Sequence, residues 1–200
     1  GPDTHVDDPT LDAFFEGLTQ VFEEASDDDQ ATAKRFQTLR SLLEDNLPAF
    51  YTYHNLGHTL YVTGKAVEIG QYEQCGEKEL DLLYTAGLWH DTGYIHTYVN
   101  HEEAGCTLAT QYLPGFGLKP DEIETICGMI MATKIPQSPK NKLEEIIADA
   151  DLEYLGTEQA GTLAGALFHE LRHLNPSLTE AEWNRTQVSF LENHHYFTSY

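Results

Sequence analysis

Three separated packets of metal-capable side chains constrain the folding of this 200-residue chain more than any other feature. Tyr53-His54-Asn55-Leu56-Gly57-His58 supplies two histidines, His90-Asp91 an adjacent pair, and Asp149 and Asp151 two carboxylates. A structural protein has little use for such a set, so the fold is expected to bring three distant stretches to one point. In a helix, residues four apart share a face, so a helical segment would place His54 and His58 one turn apart at one site. An adjacent His and Asp both point inward only where an element ends or kinks, which places His90-Asp91 at a helix terminus. Two imidazoles with two carboxylates suit a first-row divalent ion or zinc with positions left for water, unlike the Cys-rich shells of closed structural zinc sites. Open positions imply catalysis. Each packet alone has an ordinary explanation, because a His-Asp dipeptide arises by chance and a lone His near apolar residues is usually a hydrogen-bonded core or surface group. Their order along the chain carries the argument.

The packets lie in a chain whose apolar residues recur at helical spacing. Leu11, Phe14, Phe15, Leu18, Val21 and Phe22 predict a first helix from about Thr10 to the Asp27-Asp28-Asp29 run, a solvated connector. A second helix is expected from about Ala31 to Leu47, closed by Pro48, and a third carries His58, Leu60, Val62 and Val67. Further helices are expected over residues 79–90, 102–113, 121–133, 142–155, 157–174 and 179–196. Pro114-Gly115-Phe116-Gly117 marks a turn, and Pro136 and Pro139 enforce a loop. Strand alternation and internal repeats are absent from the sequence. The expected fold is therefore all-α, one domain over residues 10–200, with residues 1–9 a tag remnant and disordered acidic lead.

Charge narrows the partners. The formal net charge is −22, from 33 acidic against 11 basic residues, and a nucleic-acid backbone requires basic surface. Polynucleotides are excluded as partners, and a small phosphate ester would need local positive charge from a bound metal. No apolar run approaches eighteen residues and no basic-then-apolar leader opens the chain, so neither a membrane span nor a signal peptide is read, and a cytoplasmic location is expected. Cys75, Cys106 and Cys127 are widely spaced, without a Cys-x-x-Cys pair, and are expected to be buried small hydrophobes. The oligomeric state is not legible in the sequence.

Taken together, the packets resemble the HD superfamily of metal-dependent phosphohydrolases, whose ligands run His, His-Asp, Asp along a helical domain. Within it, the chain is similar to class I cyclic nucleotide phosphodiesterases. Their Tyr-His-Asn, two residues, then His is matched at 53–58, and their Ala-x-Leu-x-His-Asp at Ala86-Gly87-Leu88-Trp89-His90-Asp91. Met129-Ile130-Met131-Ala132-Thr133 resembles Met-x-x-Ala-Thr, Ala150-Asp151-Leu152 resembles x-Asp-Leu, and Gln187-Val188-Ser189-Phe190 resembles Gln-Val-x-Phe. The likeness covers roughly residues 50–195.

The resemblance implies an HD-type helical array and hydrolysis of a small phosphate ester, a nucleotide. It implies one or two divalent metal ions (Zn, Mn, Fe or Mg) held by His58, His90, Asp91 and Asp151, with Asp151 favoured over Asp149. His54 would be the general acid, and His101, Glu102 and Thr133 would form a second shell or second metal site. Gln187 would hydrogen-bond a purine and Phe190 stack on it. The alternative for that last segment is that Val188, Phe190 and Leu191 are the buried stripe of an amphipathic helix. Two departures bear on the second metal: Val99 stands where those enzymes have glutamate before Asn100-His101, and Lys134 follows Ala-Thr where they often have aspartate. Glu102 or Glu103 could supply the missing carboxylate. Other readings are a 5'-nucleotidase or other small phosphate ester hydrolase, a non-catalytic nucleotide sensor, and a diiron HD oxygenase, which would need a further His in the helix containing Ala132.

Overall fold

The computed structural model describes residues 9–26 and 30–200. Among them lie nine α-helices and no strand: α1 (Pro9–Ser26), α2 (Gln30–Asn46), α3 (Leu56–Tyr72), α4 (Glu77–Trp89), α5 (His101–Tyr112), α6 (Pro120–Ala132), α7 (Lys142–Leu152), α8 (Ala160–Leu174) and α9 (Glu180–Asn193). The all-α expectation holds. The acidic lead over residues 1–8 and the connector Asp27-Asp28-Asp29 lie outside the described residues. Among the described residues, no helix is long and apolar enough to cross a membrane.

Capping chemistry sets the boundaries that periodicity leaves loose. At α4, the Glu79 carboxylate accepts the backbone N–H of Gly76 at 2.9 Å, so the helix starts at Glu77. At α9, Thr179 and Glu182 cap each other reciprocally, side chain to backbone, at 3.2 and 2.9 Å. Three expected helices are shorter than predicted: α7 ends at Leu152, where the 3-10 turn Glu153–Gly156 follows. α8 starts at Ala160 because the Thr157 hydroxyl accepts from Gln159 N and donates to Tyr154 O, closing a separate turn. α9 ends at Asn193, and His194 turns extended (ψ 141°) to send the C-terminal strap across α7.

The main core is made where α3 lies against α4 and α7, and where α6 joins α4, α5 and α7. Phe36, Leu60, Ile69, Leu83, Trp89, Ile126, Met129 and Ile146 are all fully buried there. Each such aliphatic or aromatic burial contributes about 1.5–3 kcal/mol relative to exposure. Close helix approach depends on Gly87, where a Cβ would meet Thr63 Cα at 2.7 Å. A smaller cluster of Leu11, Tyr53, Leu152, Tyr154 and Leu163 unites α1, the end of α7 and α8. Cys75, Cys106 and Cys127 are half-buried rather than buried. Cys106 and Cys127 face each other between α5 and α6, with Cys106 Sγ 3.5 Å from Cys127 O.

Candidate metal centre

Four stretches build the site. Asn55 has extended backbone angles (φ −128°, ψ −175°) and its side chain accepts the His58 N–H at 3.2 Å, so α3 begins at Leu56. His58 therefore sits in the first turn of α3, while His54 precedes the helix. The expectation of a shared helical face is corrected: a helix cannot run back through its own N-cap. The two rings still approach to 5.7 Å between centroids, through the turn that ends at Asn55. His90 caps the C-terminus of α4, and Asp91 opens the tight 3-10 turn Thr92–Ile95. That break in the helix lets both adjacent side chains face inward. Gly93 then allows the start of α5 to press on this turn, since a Cβ there would lie 1.7 Å from His101 O.

Nε2 of His58 lies 3.2 Å from Asp151 Oδ1 and 3.3 Å from Asp91 Oδ2. Nε2 of His90 lies 3.1 Å from Asp91 Oδ2 and 3.4 Å from Asp151 Oδ1. Ligand atoms of His58, His90 and Asp151 fall within 4.8 Å of one another. His90 Nδ1 donates to Gly87 O at 2.7 Å, which leaves Nε2 as the lone-pair nitrogen facing the cluster. Although His90 Nε2 and Asp91 Oδ2 are close, their orientation makes no hydrogen bond, and both buried atoms lack a hydrogen-bond partner among the described residues. Orphaned buried donors and acceptors cost about 1–3 kcal/mol each, and a divalent cation would satisfy both. The mixed N/O set therefore fits one.

Electrostatics agree with that fit. Burial works against charge on His58 and His90, yet the carboxylates of Asp91 and Asp151 outweigh it and raise both imidazoles above their ordinary value. Burial likewise opposes charge on Asp91 and Asp151, and the surrounding imidazoles override it, holding Asp91 well below the carboxylate range and Asp151 at about 2. The carboxylates of buried Asp91 and half-buried Asp151 thus favour positive charge among the histidines, the role a cation would take over.

Asp149 does something else. Its carboxylate accepts Phe197 N at 3.0 Å, Thr198 N at 2.8 Å and the Thr198 hydroxyl at 2.7 Å, pinning the C-terminal strap to α7. His101 Nε2 lies 3.3 Å from Asp91 Oδ1 and 3.5 Å from Glu102 Oε1. Asp91 thus faces His58 and His90 with one oxygen and His101 with the other. Glu102 is 6% exposed, whereas the Glu103 side chain is 48% exposed and pairs with Lys134. Thr133 is buried and donates its hydroxyl to Ile130 O at 2.7 Å.

Two residues that sequence reasoning missed organise His54. Glu170, fully buried on α8, accepts the backbone N–H groups of Tyr53 and His54 at 2.9 Å each and His54 Nδ1 at 2.5 Å. Its spacing gave a signal, since an acid seven residues past Leu163 and three past Leu167 falls on the inward stripe of α8. Tyr94 places its hydroxyl 3.2 Å from His54 Nε2 and stacks its ring on His101 at 3.8 Å. With Nδ1 committed to Glu170, Nε2 is the nitrogen that meets the cleft.

That cleft, about 370 Å³, runs from Asp91, His101, Glu102, Thr133 and Lys134 to a wall made by α8 and α9. Leu167, Leu171, Trp183, Gln187 and Phe190 line the wall. The buried-stripe alternative for α9 is corrected: Val188 and Leu191 are 56% and 52% exposed. Trp183, Thr186, Gln187 and Phe190 fall at i, i+3, i+4 and i+7, the helical face that borders the cleft. A larger cavity of about 600 Å³ lies behind segment 49–55, among residues of α1 and α8, and contains none of the cluster's ligand atoms.

Comparison with known proteins agrees with this geometry. No curated protein matches the chain. A crystal structure of a predicted HD superfamily hydrolase from an uncultured Thermotogales bacterium superposes with a TM-score of 0.52 at 23% identity, covering 78% of this chain and 86% of that one. Such a likeness speaks to the fold. Residues 1–70 match the family described as nuclease A inhibitor-like protein, a span of α1, α2 and most of α3 that stops short of His90, Asp91 and Asp151. The HD domain family matches residues 55–156, which run from the α3 cap through His58, His90 and Asp91 to Asp151, and by that match over half its length the chain belongs to the HD domain family.

Proposed function

We propose that the chain is a metal-dependent phosphohydrolase acting on a small phosphate ester, a nucleotide, with 3',5'-cyclic nucleotides as first candidates on the motif likeness. The observation that carries the reading is the convergence of His58, His90 and Asp151 within 4.8 Å at the edge of a cleft that also holds His54. A divalent ion held by these residues and Asp91 would supply Lewis acidity, and a bound ion brings the pKa of water from about 15.7 toward ~7. Around it the protein's own groups divide the work. Glu170 fixes the His54 ring through Nδ1 and aims Nε2 at the cleft, so that the imidazolium form would give its Nε2 proton to the departing ester oxygen and be left as the neutral Nδ1–H tautomer. Proton delivery of this kind is typically worth about 10²–10⁴-fold. Tyr94 holds that nitrogen's position and stacks on His101, while His101, which approaches both Asp91 Oδ1 and Glu102 Oε1, would with those two carboxylates hold a second ion if one binds. Gln187 and Phe190 offer one polar group and one aromatic face to a base.

The test is hydrolysis of cyclic AMP, cyclic GMP and a nucleoside 5'-monophosphate with Mn²⁺ or Mg²⁺, comparing the parent with Asp151→Ala and His54→Ala. Turnover by the parent that falls at least about a hundredfold in both variants is expected. A metal-loaded parent that turns over none of these esters would rule against the reading and favour a nucleotide sensor.

A further inference from the structure

Lys134 follows Thr133 just beyond α6 and is the only lysine or arginine among the described residues that line the cleft. The chain has 33 acidic against 11 basic residues, so a cation at this place is not supplied by composition alone. Its Nζ donates to Asn100 Oδ1 at 3.1 Å and to Glu103 Oε1 at 2.5 Å. Its partner Asn100 immediately precedes His101, and Lys134 lines the same cleft as Asp91, His101, Glu102 and Asp151. The Lys134 and Glu103 side chains are 39% and 48% exposed. An exposed pair of that kind contributes only about 0–1 kcal/mol, and an incoming anion can replace Glu103 at little cost.

We propose that Lys134 is a specificity-determining residue that receives surplus negative charge on the substrate, so that the cleft favours phosphate monoesters over singly charged cyclic diesters. The inference rests on the phosphohydrolase reading and moves its preferred substrate from the cyclic nucleotide to the nucleoside monophosphate. A cyclic diester has one negative charge, which a cation at the cluster absorbs. A monoester carries about −1.5 to −2 at pH 7, and the remaining charge meets Asp91, Glu102 and Asp151 unless a basic group intervenes. Lys134 is placed to be that group, and Glu103 holds it in waiting.

The experiment measures kcat and KM with Mn²⁺ on a nucleoside 5'-monophosphate and the matching 3',5'-cyclic nucleotide, for the parent, Lys134→Gln, Lys134→Arg and Glu103→Gln. Lys134→Gln is expected to raise KM for the monophosphate about fivefold and for the cyclic substrate by less than about twofold. Lys134→Arg should retain the parent's preference. Glu103→Gln should lower KM for the monophosphate about twofold, a gain that a folding defect cannot mimic. Equal effects of Lys134→Gln on both esters, or none on either, would overturn the assignment. Should the metal-loaded parent hydrolyse neither ester, the phosphohydrolase reading fails and titration calorimetry with the monophosphate decides on Lys134. Binding that Lys134→Gln weakens sustains the assignment, and binding equal in parent and variant overturns it.

Discussion

Glu170 is the residue on which the orientation of His54 depends, and its two oxygens do separable things. One accepts two backbone N–H groups and fixes the turn at Tyr53 and His54, while the other fixes the ring through Nδ1. Glu170→Gln keeps an oxygen for the backbone but can present an amide donor to Nδ1, which turns the imidazole to the other tautomer. Turnover of the proposed esters should drop about 10²–10⁴-fold with metal content unchanged, by analogy with tautomer loss in catalytic triads. Glu170→Ala should in addition lower stability by about 1–3 kcal/mol, because it leaves buried N–H groups unpartnered. Steady-state kinetics together with metal analysis of both variants checks this, and equal kinetics for parent and Glu170→Gln would remove Glu170 from the mechanism. At this scale the sequence exposes residues with rare chemistry in ordered packets, such as His58 and His90-Asp91. It nearly hides Glu170 and Tyr94: the inward-stripe spacing marks Glu170 as unusual without saying what it holds, and a tyrosine within a short turn gains meaning only from what the fold sets beside it. The choice between Asp149 and Asp151 is of the same kind. Both lie on α7 two residues apart; periodicity does not separate them, the likeness of Ala150-Asp151-Leu152 to x-Asp-Leu favours Asp151, and the packing sets Asp151 toward the histidines and Asp149 toward the strap.

Helices are legible from periodicity, and their ends follow from capping groups that periodicity does not see. Asn55 illustrates this, since its side chain starts α3 after His54 rather than before it, and the two histidines meet through a turn instead of along a helix face. α9 shows the reverse problem: its most apolar positions, Val188 and Leu191, face outward, and its inward face is chosen by the cleft that Trp183 and Phe190 border. The join between α4 and α5 yields a sharp prediction. A Cβ at Gly93 would collide with His101 O, a backbone atom that cannot swing aside, so Gly93→Ala must push α5 away from the turn that carries Asp91. Overpacking of this kind costs typically about 1–3 kcal/mol, and it should also separate His101 from Asp91. Gly64→Ala is the matched control on α3, where a Cβ meets nothing within 4 Å, and it should stabilise by up to about 1 kcal/mol. Urea unfolding of the two variants should therefore move in opposite directions, and parallel shifts would contradict the packing assigned to Gly93.

For the whole molecule, a net charge of −22 means that Asp91 and Asp151, set together in the cluster, need a local counter-charge. His58 and His90 have raised values, so their protonation stabilises the fold below their ordinary value of 6.5 and is lost as pH rises through the higher folded value. Asp91 and Asp151 have depressed values, so their ionisation contributes above the ordinary 3.8 and is lost as pH falls through the folded value. The cluster therefore supports the metal-free fold best between those ordinary values and weakens it as the imidazoles deprotonate at higher pH. A divalent ion requires those same nitrogens free of protons, so its affinity runs the other way. The gap in Tm between protein in Mn²⁺ and protein in a chelator should then widen from pH 6 to pH 8.5. With the ion at a hundred times its Kd, the stabilisation is about 2.7 kcal/mol, which for a chain of this size is about 5–10 °C in Tm. Differential scanning calorimetry at both pH values measures it. A gap that stays constant, or narrows toward pH 8.5, would mean that the ion binds elsewhere than at His58 and His90, and Asp151→Asn, which should abolish the gap, tells whether that carboxylate is a ligand.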